Sequence, residues 1–402
     1  MTSLIVHDLY LESAIFPLFW YYTFMPTFCS YYNQGICKSC DLITMDYSDQ
    51  ILKKETLLKQ ALKDIPHPEF LPTEGSALTN FRNKAKLVVT GTRDNPVIGL
   101  WGEKNPDSGR ELLNCELHIP VINEVLQKLP DFIRTAALDP YQIASKKGEL
   151  KGIIVFYSES TQETYLRFVM RSKESIDRIR KHISTLGEIA CVSVNIQPVP
   201  HAILEGEEEI FITPLKAIRH KIGNVVLSLG PRAFVQTNQI MAEKLYTTAA
   251  EWVKGNHSEK FMELFCGQGA FSFFCAPYIQ NGLGIEINPD AVVEANRTAK
   301  ESKLWHLKFK SADAAKVEDE IINFNPDLIL VNPPRRGLAG AVHLLLKQKP
   351  ETIIYSSCNH ETLCEDIRQL ESSYKIRRIK IFDMFANSSH FETLVELTRL
   401  TK

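Results

Sequence analysis

Leu328-Ile329-Leu330-Val331-Asn332-Pro333-Pro334-Arg335-Arg336-Gly337 and, after a helix-like segment, Thr352-Ile353-Ile354-Tyr355-Ser356-Ser357-Cys358-Asn359 decide the fold of this 402-residue chain. Each stretch starts as a short apolar, β-branched run and ends in a polar turn. Buried parallel strands deliver reactive groups to the carboxyl edge of an open α/β sheet in this way. The first turn offers an amide stiffened by two prolines, and the second offers a thiol. A thiol beside a base-recognising amide points to covalent catalysis on a planar ring.

The same pattern continues upstream. Phe261-Met262-Glu263-Leu264-Phe265-Cys266-Gly267-Gln268-Gly269-Ala270-Phe271 reads as a strand, a glycine-spaced turn and the start of a helix. Glycines there let a backbone approach a ligand closely, and a helix start suits its carboxylate. Glu286 ends the next predicted strand, Gly282–Ile287, where an acidic group binds ribose hydroxyls. Asp313 ends the third and suits an adenine amino group. The third glycine of a dinucleotide fingerprint is missing, so the pattern favours S-adenosylmethionine over NAD. From Val225 to Leu397 strands and helices alternate, the signature of a doubly wound parallel sheet.

The region before it reads differently. Ser48–Lys63 has a serine start and helical apolar spacing, and predicts an amphipathic helix. From Phe81 to about Phe211 the pattern predicts strands at Lys86–Gly91, Pro96–Trp101, Gly152–Glu159, Thr164–Arg171 and Cys191–Pro198, with a helix at Ser175–Leu186. Arg82, Lys84, Lys86, Lys146, Lys147, Lys151, Arg167, Arg171 and Lys173 decorate it, as a solvated face or a surface that tracks phosphates. Cys29, Cys37, Cys40 and Cys115 form a C-x7-C-x2-C set with a distant fourth member. Four thiolates suit zinc or an iron–sulfur cluster equally on chemistry alone; the long spacing favours a cluster.

Net charge is -2, so nucleic-acid binding has to come from local patches. Nine cysteines, an odd number, argue against a secreted disulfide framework and for a reducing cytoplasm. Ser13–Phe28 is apolar and aromatic, but Pro17 and Pro26 interrupt it and no Lys or Arg precedes Lys38. It fits neither a secretory signal nor a membrane span, and a start at Met25 is one reading of it.

Phe234–Asn238 (FVQTN), Glu263–Phe271 (ELFCGQGAF), Gly284–Asn288 (GIEIN), Val331–Gly337 (VNPPRRG), Tyr355–Asn359 (YSSCN) and His390–Leu394 (HFETL), with the four cysteines upstream, resemble the RNA uracil-C5 methyltransferase family from residue 29 to the C-terminus. The branch acting on 23S ribosomal RNA at a 747-type uridine is the nearest match. The transfer RNA branch lacks the cluster cysteines, and another ribosomal branch carries an extra N-terminal β-barrel for which 28 residues before Cys29 leave no room.

The resemblance implies a fold and a set of roles. The α/β chain divides into an N-terminal arm (1–28), a mixed, β-rich central domain (29–222) carrying the four-cysteine cluster site, and a C-terminal Rossmann-like, S-adenosylmethionine-dependent methyltransferase domain (223–402). Cys358 is the nucleophile and Glu392 the base. Gln236, Phe265, Glu286 and Asn332 contact S-adenosylmethionine, and Cys29, Cys37, Cys40 and Cys115 hold a 4Fe-4S cluster. Many relatives carry Asp where Asn332 stands, which leaves uracil recognition open to its amide. The partner implied is 23S ribosomal RNA, with no membrane and no stable protein partner. Two rivals stay open: an exocyclic-amine methyltransferase, which shares Asn-Pro-Pro turns but needs no thiol, and a catalytically silent RNA-binding factor.

Overall fold

Lys260–Leu264, Leu328–Val331 and Thr352–Ser357 form the centre of an eight-stranded sheet in the computed structural model, which describes residues 27–199 and 205–400. The strand order is Leu71–Glu74, Tyr374–Phe382, Glu392–Arg399, Thr352–Ser357, Leu328–Val331, Lys260–Leu264, Asn281–Glu286, Leu307–Ser311. The last five are mutually parallel, while Glu392–Arg399 runs antiparallel to both of its neighbours. Leu264 pairs with Val331 and Val331 with Tyr355, so these strands end at one level.

Burial on both faces explains the continuous apolar runs. Phe261, Leu328, Leu330 and Ile354 join one core, with Met241 and Leu245 of helix Gln239–Gly255. Met262, Leu264, Ile329, Val331, Ile353 and Tyr355 join the other, with Leu344 of helix Ala341–Gln348 and Leu363 of helix His360–Leu370. Each such side chain contributes about 1.5–3 kcal/mol on burial, so both cores hold these strands in the interior of the sheet.

A second sheet of seven strands, from Arg110–Glu111 at one edge to Glu208–Phe211 at the other, carries the central region. Its one parallel pair, Glu163–Met170 with Cys191–Ile196, is bridged by helix Ile176–His182 and a 3-10 turn, Ile183–Leu186. The predicted strands all appear, shifted by a few residues at their ends. Helix Pro120–Thr135 was not predicted. Ile122, Val125, Leu126, Leu129, Phe132 and Ile133 repeat at helical spacing and pack under the sheet, a signal that the strand reading passed over.

Three expectations need correction. The first long helix spans Tyr47–Ala61, with Asp46 rather than a serine at its cap and no capping side-chain hydrogen bond. That helix and strand Leu71–Glu74 belong to the C-terminal layer: Leu58 and Leu62 enter its core, and Leu71–Glu74 pairs with Tyr374–Phe382. Buried Lys54 is ion-paired with buried Asp383, so a division at 222/223 cuts through one packed unit.

The third correction concerns the basic residues. Arg167 is buried against Glu205 and Glu209, Arg171 pairs with Glu149, Lys86 with Glu205 and Lys173 with Glu208. Lys151 is buried and donates to the Val199 carbonyl at 2.6 Å. Arg167 and Lys151 are thereby engaged internally, while Lys86 and Lys173 are paired but exposed, and Lys146 and Lys147 are exposed as well. Of the apolar stretch Ser13–Phe28, residues 13–26 lie outside the described residues, as does the Met25 start. No helix among the described residues is long and apolar enough to cross a membrane.

Candidate active site

The carboxyl ends of the five parallel strands surround a cavity of about 510 Å³, at the point where the chain order reverses between Lys260–Leu264 and Leu328–Val331. Phe265, Glu286, Asp313, Asn332 and Cys358 all follow or close those strands, and all line the cavity. Glu392 lines it too, because its strand is antiparallel and therefore starts where its neighbours end. Gln236 reaches it from the segment before helix Gln239–Gly255.

Local structure fixes each group. The Glu286 carboxylate accepts from the Gly267 amide at 3.0 Å and the Asn288 amide at 2.9 Å, which aims it from the second strand end toward the glycine turn. Gly269 has φ +79°, and a Cβ there would lie 2.5 Å from the Phe309 ring, so only glycine fits. Phe265 sits at φ +60°, an outlier for a bulky residue and a sign of strain stored at the cavity wall.

The Asn332–Gly337 loop is clamped. Asn359 Nδ2 and Thr362 Oγ1 each donate to the Arg335 carbonyl at 3.1 Å, and the Leu338 amide donates to Asp366 Oδ2 at 2.8 Å. Tyr355 donates to the same Asp366 oxygen at 2.7 Å. Asn359 also caps helix His360–Leu370 through the Glu361 amide. One loop is thereby tied to the strand and helix that flank Cys358.

The electrostatics separate the two candidate catalytic groups. Burial pushes Glu392 up to about 7, opposed by a 2.6 Å hydrogen bond from Ser356 Oγ. Burial raises the half-buried Cys358 thiol, and Glu392 raises it further, while the Arg335 guanidinium pulls it down. Glu263, at the base of the cavity, is pushed up to about 8 by burial despite accepting from the Ser272 amide at 2.9 Å. A thiol beside a guanidinium and a carboxyl that titrates near neutrality on one cavity suit addition to an electron-poor ring followed by proton removal.

Comparison with known proteins agrees with this chemistry. A family model described as tRNA (Uracil-5-)-methyltransferase matches residues 223–400. The 23S rRNA (uracil(747)-C(5))-methyltransferase of Actinobacillus succinogenes is 38% identical over 386 residues, covering 92% of this chain and 99% of that protein. The protein of the same name from Vibrio cholerae is 39% identical over 376 residues, covering 92% and 99%. The chain belongs to the RNA uracil-C5 methyltransferase family. A crystal structure of Pyrococcus abyssi tRNA (uracil-54, C5)-methyltransferase in complex with S-adenosyl-L-homocysteine superposes with a TM-score of 0.76 at 25% identity, covering 90% of this chain and 86% of that one.

Within this uracil-C5 methyltransferase fold, Cys29, Cys37, Cys40 and Cys115 line a separate cavity of about 130 Å³. Burial and the three neighbouring thiols push Cys40 up to about 12. Among the described residues no group of three or more His, Cys, Asp or Glu side chains is arranged to hold a metal ion, so the 4Fe-4S site is not shown; what the four cysteines share is the cavity.

Sequence reasoning does not reach Ser356, a strand-interior serine next to Ser357, or the position of Arg335 beside the thiol. His390 is exposed, while the neighbouring His360 ring stacks on Phe391 at 5.2 Å.

Proposed function

We propose that this enzyme methylates C5 of a uridine in 23S ribosomal RNA, at a 747-type site, with Cys358 as nucleophile and Glu392 as base. The observation that carries the reading is Cys358 and Glu392 facing one cavity across adjacent strands, with Glu286 and the Gly267 turn beside them. The choice of 23S RNA rests on relatives of that name at 38–39% identity over nearly their whole length, against 25% for the transfer RNA enzyme.

The cofactor site fits S-adenosylmethionine on its own geometry. Glu286 is pre-aimed at ribose hydroxyls, and a Cβ at Gly267 would meet nothing within 4 Å, so the backbone has open space for a ligand. Bound there, S-adenosylmethionine supplies an electrophilic methyl group on a sulfonium.

Uracil C5 is a poor nucleophile until a thiolate adds to C6. The Cys358 sulfur forms that C6–S bond, and the resulting enolate carries electron density on C5, which takes up the methyl group. Glu392 then removes the C5 proton, the C6–S bond breaks and the thiolate leaves. Arg335 favours the thiolate at both ends of this cycle. Asn332, at the end of its strand, offers a donor and an acceptor to the cofactor or the uracil edge, and Gln236 and Phe265 complete the cofactor wall.

We infer in addition that Cys29, Cys37, Cys40 and Cys115 hold a 4Fe-4S cluster; their shared cavity supports it, and thiolate ligands are what such a cluster requires. Mapping C5-methylated uridines in large-subunit RNA from cells with and without the gene tests the function. Loss of a single methyl mark at a 747-type uridine is the expected result; an unchanged RNA, or loss confined to transfer RNA, overturns it.

A further inference from the structure

We propose that Asp41 is a positioning residue for Glu392, and that through it the turn beginning at Cys40 sets where the base stands against the C5 proton. The inference rests on the reading of Glu392 as the base and extends it to the segment that holds that base in place.

Glu392 stands at the very start of its strand. On the side facing Cys358 the ladder begins only at Thr393, opposite Ser357. On the other side Glu392 pairs with Phe382, from which the loop 383–391 leads back to it. The path of that loop therefore fixes the backbone that carries the carboxyl.

Two consecutive residues after Cys40 hold the loop. Asp41 Oδ1 accepts from the Ser389 amide at 2.9 Å, and the Leu42 amide donates to the Asn387 carbonyl at 3.0 Å. Leu42 is buried, and the Ile43 amide closes the turn onto the Cys40 carbonyl at 3.3 Å. The loop is also the wall between two cavities. Phe385 lines the main one, while Ala386 clusters with Phe81 and Leu117, against which Cys40 and Cys115 pack. The cysteine set and the base are thus joined by a contiguous run of packed and hydrogen-bonded residues.

The two halves of the reaction depend on this run unequally. Cys358 follows strand Thr352–Ser357, and its surroundings are clamped by Asn359 and Thr362 instead. Proton removal needs the carboxylate within hydrogen-bond reach of C5, so a small displacement of Glu392 slows elimination and spares addition.

The test follows both halves of a single turnover on the full-length protein, with labelled methyl donor and a stem-loop RNA carrying the target uridine. In Asp41→Ala, methyl transfer into the denaturation-stable adduct should keep its wild-type rate. Release of methylated RNA should slow about fivefold or more, so that adduct accumulates. Asp41→Asn keeps an acceptor for the Ser389 amide and should restore release. Asp41 is exposed, so neither change disturbs the core. Release at the wild-type rate in Asp41→Ala, equal slowing of both halves, or an Asn variant as slow as the Ala variant overturns the proposal and leaves Glu392 as the base. A wild-type protein that forms no methylated RNA, or a Glu392→Gln variant that releases it normally, removes the base reading and this inference with it.

Discussion

Ser356 donates a 2.6 Å hydrogen bond to Glu392 across two antiparallel strands, and it is the side chain that opposes the rise in that carboxyl's pKa. Burial alone would keep Glu392 protonated; the serine hydroxyl brings it to about 7. As the base, Glu392 acts in its ionised form, so product release should rise with pH through about 7. Ser356→Ala removes the bond to the charged form and should move that inflection up by about one pH unit. Single-turnover release rates from pH 5.5 to 9 check this; an unmoved inflection counts against Glu392 as the titrating group.

Cys358→Ala and Glu392→Gln should fail differently. Without the thiol no covalent adduct forms. Without the base, addition and methylation proceed and elimination stalls, which leaves a methyl-labelled protein–RNA adduct stable to denaturation. A denaturing gel with labelled methyl donor and a stem-loop RNA separates the cases. The target uridine has to leave its stack, at a cost of a few kcal/mol, so adduct yield should fall when the loop is closed into duplex. Turnover by Cys358→Ala would end the scheme.

Glu263 makes a stability prediction with a definite sign. Its folded pKa, about 8, stands above the usual 4.5, so the native state holds a proton that the unfolded state releases. The stabilisation is complete below about 4.5, declines as pH rises, and is gone above about 8. Glu263→Gln abolishes the titration. The stability difference between wild type and variant should therefore fall by about 1 kcal/mol per pH unit within that window and level off above it. Urea melts at pH 5, 6, 7, 8 and 9 give the slope.

Gly337→Ala should uncouple the loop from its clamp. Gly337 has φ +78°, and a Cβ would lie 2.6 Å from Asp366 Oδ2, the oxygen that also accepts from Leu338 and Tyr355. Strain and the broken clamp together should cost about 1–3 kcal/mol of stability and lower kcat more than they alter cofactor affinity. Thermal melts and steady-state kinetics check both.

Anaerobically purified protein should be brown, with broad absorbance near ~400 nm from thiolate-ligated iron. Cys37→Ser should bleach it and destabilise the central region more than it changes Cys358 reactivity. A colourless protein with one tightly bound zinc would refute the cluster.

The strand ends were legible because burial on two faces forces an uninterrupted apolar run, and the run's end marks the edge where Asn332 and Cys358 emerge. Interactions between distant segments were not. Leu71–Glu74 is four residues long, contains a proline, and is a strand only because Tyr374–Phe382 lies beside it. Arg167 looks like surface charge until Glu205 and Glu209 fold over it. Ser356 gains its meaning from a carboxylate 36 residues away. Local pattern carries the sheet and the groups at its edge; the pairings that set their pKa values exist only after folding.

The Lys54–Asp383 pair has a bearing on how such enzymes can be taken apart. Asp383 opens the loop that leads to Glu392, and that loop is gripped from upstream: Lys54 also donates to the Phe385 carbonyl, the Leu42 amide donates to the Asn387 carbonyl, and Gln50 Oε1 accepts from the Asn387 amide. A fragment starting at residue 223 would hold every proposed catalytic side chain yet strip Asp383 of its partners Lys54 and Tyr47, with strand Tyr374–Phe382 as a bare edge. The stretch that the family model matches, residues 223–400, is thus not an exchangeable module. Swapping RNA specificity between relatives would require moving the helix Tyr47–Ala61 and its following strand together with the catalytic half, as one cartridge.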